Sequence, residues 1–114
     1  MIEADEFRKW LMTYPWLHLV GRARDPVGDP LANFLSEHFH RRAMTGRTDA
    51  RRGTEVLKLP AWARDFQRRI DQHPADEAIS AGHALQLLAA TVRQLEQPPR
   101  SGVEPALSRS SIGR

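Results

Sequence analysis

The chain has 114 residues, of which 40% are hydrophobic and none is cysteine. This length fits one small domain. Without cysteine there are no disulfides, thiolate zinc sites or cysteine nucleophiles, so we expect a fold that depends on packing and a cytoplasmic protein. No apolar run approaches the roughly 20 residues of a spanning helix. The acidic start of the chain is also unlike a signal peptide, so no membrane contact is expected.

The net charge of +3 is unevenly distributed along the chain. Residues 1–40 carry four basic and six acidic groups, a net −2, whereas residues 41–69 carry nine basic and three acidic groups, a net +6. Residues 70–97, with one basic and four acidic groups, return to −3. A basic stretch between acidic flanks predicts contact with an acidic partner.

The first helix is predicted over residues 3–14, where apolar side chains recur at helical spacing before Pro15 ends the pattern. The apolar face comprises Phe7, Trp10, Leu11 and Tyr14. The stretch Trp16–Asp29 follows, and both a short extended segment and a helical turn fit its start. Asp29 is predicted as the N-cap of a second helix that runs from Pro30 to about Arg42.

Residues 43–58 contain glycines and arginines with almost nothing to bury, so they are predicted to form a basic loop. A third helix is expected from about Pro60 to His73, since Trp62, Phe66 and Ile70 recur every four residues. Its arginines at positions 64 and 68 lie on the opposite face.

A fourth helix is predicted from Asp76 to about Gln97, with apolar residues on two faces. One stripe comprises Ala84, Leu85, Leu88, Val92 and Leu95, and the other comprises Ile79, His83 and Leu87. A helix with two apolar faces is either central in a bundle or shared with a partner. Together these patterns predict a single all-α domain over residues 1–97, a compact bundle of four to five helices, followed by a flexible, disordered basic tail over residues 98–114.

Signatures of catalysis are missing from the sequence. It contains no dinucleotide fingerprint, no phosphate loop and no nucleophile elbow, so we expect neither an enzyme nor a cofactor nor a small-molecule substrate. Of the five histidines, only His38 and His40 are close in sequence, and on a helix they point roughly 200° apart. No metal site is therefore predicted.

The basic stretch is the candidate binding site. Its predicted phosphate contacts are Arg41, Arg42, Arg47, Arg51, Arg52, Arg64 and Arg68. The alternative is a solvated surface in which Asp65 pairs with Arg69 and Asp71 pairs with Arg68. The long loop does not match a helix-turn-helix, so sequence-specific recognition is not expected.

Three short motifs within residues 7–40 resemble those of a known family. They are Phe7-x-x-Trp10-Leu11, Asp25-Pro26-Val27-Gly28-Asp29 and Leu31-Ala32. In these motifs the chain resembles the YozE-like family of small bacterial proteins. The resemblance implies a compact helical fold likened to sterile-alpha-motif domains, in which Trp10 and the turn at residues 25–29 are structural, and it implies no particular activity.

The sequence therefore predicts a non-enzymatic binding module that contacts an acidic partner, and the arginines favour DNA or RNA. The alternative is a module for protein–protein interaction, assembly or inhibition, including a homodimer. Its contact surface would be the second face of the last helix, at Ile79, His83 and Leu87.

Overall fold

A computed structural model describes residues 2–96 and shows four helices and five strands over that range. In chain order they are α1 (Ala4–Met12), β1 (Leu19–Arg22), α2 (Pro30–Phe39), β2 (Ala43–Thr45), β3 (Asp49–Arg52), β4 (Glu55–Lys58), α3 (Ala61–Ile70), β5 (Ala78–Ser80) and α4 (Ala81–Glu96). Strands β1 and β5 form one antiparallel pair, and β2, β3 and β4 form an antiparallel meander. The prediction of an all-α helical bundle is therefore wrong, because the fold combines α and β structure. The predicted tail at residues 98–114 lies outside the described range.

The meander occupies the segment that was predicted to be a loop. On β2 and β3 the buried inward side chains are small, namely Ala43, Thr45 and Ala50, while the alternate positions Met44 and Arg51 are exposed. Burial therefore alternates as in any half-buried strand, but hydrophobicity does not. The sequence lacks the apolar alternation on which strand prediction depends, and this explains the error.

The second sheet shows that the last helix begins at Ala81 and not at Asp76 as predicted. Strand β1 pairs with β5, so the residues around Ile79 are extended and α4 begins only at Ala81. The Ser80 hydroxyl accepts a hydrogen bond from the His83 backbone N–H at 3.1 Å, as an N-cap residue does. The ambiguous segment before α2 is extended over β1. An extended segment and a helical turn both fitted the sequence here, and the structure shows the extended segment at Leu19–Arg22.

The hydrophobic core lies among the helices. Helix α4 packs against α1 and α3, and Phe7 from α1 is fully buried between them and α2. Its ring lies 5.0 Å from that of Phe66, 5.1 Å from that of Phe34 and 5.7 Å from that of Trp62, measured between centroids. Aromatic pairs at such distances stabilise a core beyond the area they bury. Among residues 2–96, no helix has the length and apolar composition needed to cross a bilayer.

Candidate functional site

The seven predicted contact arginines lie on the meander and on the helix that follows it. Arg41 and Arg42 precede β2, Arg47 lies in the turn between β2 and β3, Arg51 and Arg52 belong to β3, and Arg64 and Arg68 belong to α3. Six of these side chains are exposed and one, Arg52, is partly buried. Two clusters result, one around the sheet and one along α3.

Two of the seven arginines are already neutralised. The Arg52 guanidinium bonds to the Glu55 carboxylate and lies 4.4 Å from the centre of the Phe39 ring, a cation–π contact. On α3, Arg68 bonds to Asp65, whose other oxygen accepts from Arg69 Nε at 2.9 Å. The alternative interpretation placed Asp71 as the partner of Arg68, and the partner is instead Asp65. Its pairing of Asp65 with Arg69 is present.

The other five arginines have no ion-pair partner among residues 2–96. These unpaired arginines are Arg41, Arg42, Arg47, Arg51 and Arg64. Arg41 lies over the turn of the β3–β4 hairpin, because a Cβ built on Gly53 would meet its Nη2 at 2.5 Å. Each of the five is exposed, so each can bind an anion without first breaking an ion pair.

A groove of about 570 Å³ joins the turn between β2 and β3 to helix α3. Its cationic lining is Arg47, Arg64 and Arg68, and its acidic lining is Asp65 and Asp71. Burial raises the pKa of Asp65, but the hydrogen bonds from Arg68 and Arg69 outweigh burial and hold its pKa below the ordinary value. Asp65 is therefore a carboxylate already shared by two arginines.

The outer face of the meander combines charge with apolar side chains. The strand register sets Arg51 between Met44 on β2 and Val56 on β4, and both of these side chains are exposed. In the next row Asp49 lies opposite Lys58. This face therefore offers one unpaired guanidinium with an apolar neighbour on each side.

A buried polar cluster that the sequence did not reveal holds the meander against the helices. Asp29 caps α2 as predicted, since its Oδ1 accepts from the Ala32 backbone N–H at 2.7 Å. Its Oδ2 accepts from the Thr45 hydroxyl of β2 and from Gln67 Nε2 of α3 at 3.2 Å. One carboxylate thus fixes three elements and sets the position of Arg47, two residues beyond Thr45. Only the N-cap was recognisable in sequence, because the other partners are distant along the chain.

Burial also changes the acidity of this carboxylate. Desolvation raises the pKa of Asp29, and the hydrogen bonds from Thr45, the Ala32 N–H and Gln67 only partly oppose the rise. Asp29 lines a pocket of about 370 Å³ together with Arg24 and Arg47. Arg24 has a left-handed backbone, φ 61°, and its guanidinium donates to the Asp71 carbonyl at 2.8 and 3.1 Å.

The residues predicted for a protein interface do not form one exposed surface. Ile79 is fully buried in β5, and Leu87 packs against the core. His83 is partly buried beside His73. Ile79 is therefore not available to a partner at the surface.

The structure also places Trp10, His38 and His40. Trp10 packs against the core, and its indole N–H donates to Glu37 at 3.0 Å. His38 packs against the Phe34 and Phe39 rings. His40 ends α2 in a left-handed conformation, φ 54°. No group of three or more His, Cys, Asp or Glu side chains gathers at a common point in residues 2–96.

Comparison with known proteins leaves the site to be interpreted from its own geometry. No family model, curated protein or solved structure matches the chain. The resemblance to the YozE-like family remains a prediction, without the all-α architecture that it implied.

Proposed function

We propose that this protein is a non-enzymatic module that binds nucleic acid through phosphate contacts. The observation that supports the proposal is the set of five exposed, unpaired arginines within residues 41–64. A surface of solvated ion pairs, the alternative interpretation, accounts for Arg52 and Arg68 but not for these five.

Arginine suits this role because its planar guanidinium donates two parallel hydrogen bonds to a phosphate. Arg47 and Arg64 line the groove from different elements, the turn between β2 and β3 and helix α3, so a strand lying in the groove can contact both guanidinium groups. Asp65, which also lines the groove, is shared by Arg68 and Arg69 and repels phosphate less than a free carboxylate. The outer face of the meander adds Arg51.

The binding we propose is not specific for sequence. Backbone phosphates carry no sequence information, and the unpaired arginines lie in turns, on a sheet and on one helix rather than along a single recognition helix. Affinity then depends on the number of phosphates neutralised and falls steeply with salt. We propose the cytoplasm as the compartment in which this occurs.

The test is fluorescence anisotropy with labelled duplex DNA, single-stranded DNA and single-stranded RNA, each at low and at physiological salt. We expect binding at low salt that weakens at the higher salt concentration. The double variant Arg47→Ala/Arg64→Ala loses most of this affinity, whereas Arg8→Ala, which removes an arginine paired with Asp5 on α1, retains it. The absence of binding at low salt to all three probes would contradict the proposal.

Protein interaction through the last helix remains an untested alternative. It now depends on His83 and Leu87 alone, because Ile79 is buried. Since Leu87 packs against the core, Leu87→Glu is expected to lower the melting temperature. A change of solution mass without a change of melting temperature would instead favour the interaction surface.

A further inference from the structure

Two histidines outside the arginine clusters lie in contact between the end of α3 and the start of α4, and one of them, His83, belongs to the surface of the alternative function. His73 lies three residues beyond the end of α3, and His83 lies in the first turn of α4. Their Nε2 atoms are 3.3 Å apart, and both side chains are partly buried. This contact could not be predicted from sequence, because the two residues belong to different elements.

The orientation of His73 is fixed by its other ring nitrogen. Its Nδ1 lies 3.2 Å from the Arg69 carbonyl oxygen, which can only accept, so Nδ1 carries the proton. The Nε2 lone pair of the neutral ring is therefore directed at His83. Metal-binding histidines are commonly held in this way, with one nitrogen on a backbone carbonyl and the other on the metal.

The distance between the two Nε2 atoms matches a shared metal ion. Zinc–nitrogen bonds of about 2.0–2.1 Å in tetrahedral geometry place two ligand nitrogens roughly 3.3–3.4 Å apart. A direct hydrogen bond between two imidazoles is the other explanation of the contact. Only a metal site predicts saturable Zn²⁺ binding that requires both histidines.

We propose that His73 and His83 form a two-histidine site for a divalent transition metal ion such as Zn²⁺. Within residues 2–96 no further His or acidic side chain completes a set of three, so the remaining positions are open to water, an anion or a second copy of the chain. Arg69, whose carbonyl orients His73, has its guanidinium held by Asp65 and Gln94.

The choice of metal follows from the ligands. Imidazole nitrogens bind Zn²⁺, Ni²⁺ and Cu²⁺ well, whereas Mg²⁺ prefers oxygen. The chain has no cysteine that could bind these metals elsewhere, and only five histidines in total. Single histidine substitutions can therefore locate the site.

The experiment is calorimetric titration of the untagged full-length protein with ZnCl₂ at neutral pH. We expect saturable binding that weakens at least about tenfold in His73→Ala and in His83→Ala, because each removes one of two ligands. His40→Ala, which changes the exposed histidine at the end of α2, serves as the matched control and leaves binding unchanged. Substituting MgCl₂ for ZnCl₂ abolishes the signal.

A second measurement covers the case in which a variant fails to fold. In the wild-type protein, Zn²⁺ should shift the imidazole NMR signals of His73 and His83 and leave those of His40 in place. One metal ion per two chains, with a doubled solution mass, also supports the site, because a second copy then fills the open positions. The proposal is overturned if Zn²⁺ does not bind, or if it binds equally to both histidine variants.

Discussion

The helical core and the meander are held together in different ways. The core centres on Phe7, which is fully buried among four other aromatic rings, those of Trp10, Phe34, Trp62 and Phe66. The meander buries only small inward side chains such as Ala43 and Ala50, and it is attached to the helices through Thr45 and the Asp29 carboxylate. Apolar burial thus stabilises one region and hydrogen bonding positions the other. The outward side chains of the meander contribute little to packing, which leaves its arginines available for binding.

The largest loss of stability is expected in the core. Phe7→Ala removes a fully buried ring and leaves a cavity, so it should cost about 3–5 kcal/mol of unfolding free energy. Chemical denaturation monitored by circular dichroism measures this loss. Met12→Ala on the same helix, at a side chain that is 59% exposed, is the control and should change stability by less than about 0.5 kcal/mol. Similar losses in the two variants would show that the core is not centred on Phe7.

The next largest loss of stability is expected from substitution of Asp29, which connects the two regions. Asp29→Ala removes the cap of α2 and leaves Gln67 Nε2 and the Thr45 hydroxyl without their acceptor, at a cost of about 2–3 kcal/mol. Asp29→Asn retains the cap. It also allows the Gln67 amide to rotate, so that Oε1, which has no hydrogen-bond partner in the described part of the chain, accepts from the new Nδ2. Equal losses in the two variants, measured by denaturation, would argue against this cluster.

The same cluster has a pH signature. Because burial raises the pKa of Asp29, the folded state holds its proton to a higher pH than the unfolded state does. The contribution of Asp29 to stability is therefore greatest in acid and falls as the pH rises from about 4 through the folded pKa. The free energy of unfolding of the wild type, relative to that of Asp29→Asn, should decrease over this interval. A difference that stays constant or increases would contradict the raised pKa.

A smaller effect is expected within the meander. Gly53 occupies the β3–β4 turn with φ 63°, where a side chain costs about 1–2 kcal/mol, and a Cβ would also press on the Arg41 guanidinium. Gly53→Ala should therefore destabilise by about that amount, as measured by the midpoint of urea denaturation. Gly46→Ala, in the neighbouring turn, is the matched control, because its nearest neighbours lie at 3.4 Å. A larger loss at position 46 than at position 53 would contradict this account of the turns.

The amount that could be predicted from sequence differs between the same two regions. Periodicity located α1, α2 and α3, because residues such as Phe7 and Phe66 bury large apolar side chains at helical spacing. It missed the meander, where Ala50 alternates with arginine, and it missed β5, where Ile79 continues the apolar pattern of the following helix. Small inward residues produce no hydrophobic periodicity. The apolar residues of a buried strand that directly precedes a helix are predicted as part of that helix.

For the candidate site, the sequence predicted the location of the charge and the Asp65–Arg69 pair, but not the partner of Arg68. Counting placed the basic stretch correctly at residues 41–69. Whether an arginine forms an ion pair depends on the conformation of its side chain. On α3 Arg68 reaches Asp65, whereas Arg64 has no acidic partner among residues 2–96. The contacts of Asp29 with Thr45 and of His73 with His83 link distant positions, and no local pattern reports them.

The most direct test of the binding proposal compares two arginines in one groove. Arg64 and Arg68 lie one turn apart on α3 and line the same groove, but within residues 2–96 only Arg68 has an acidic partner. The measurement is the slope of log affinity for duplex DNA against log salt concentration. We predict that Arg64→Ala makes the slope shallower by about 0.9, one phosphate contact, and that Arg68→Ala leaves it unchanged. Equal slopes for wild type and Arg64→Ala, or a larger change in Arg68→Ala, would contradict the claim that the unpaired arginines bind phosphate.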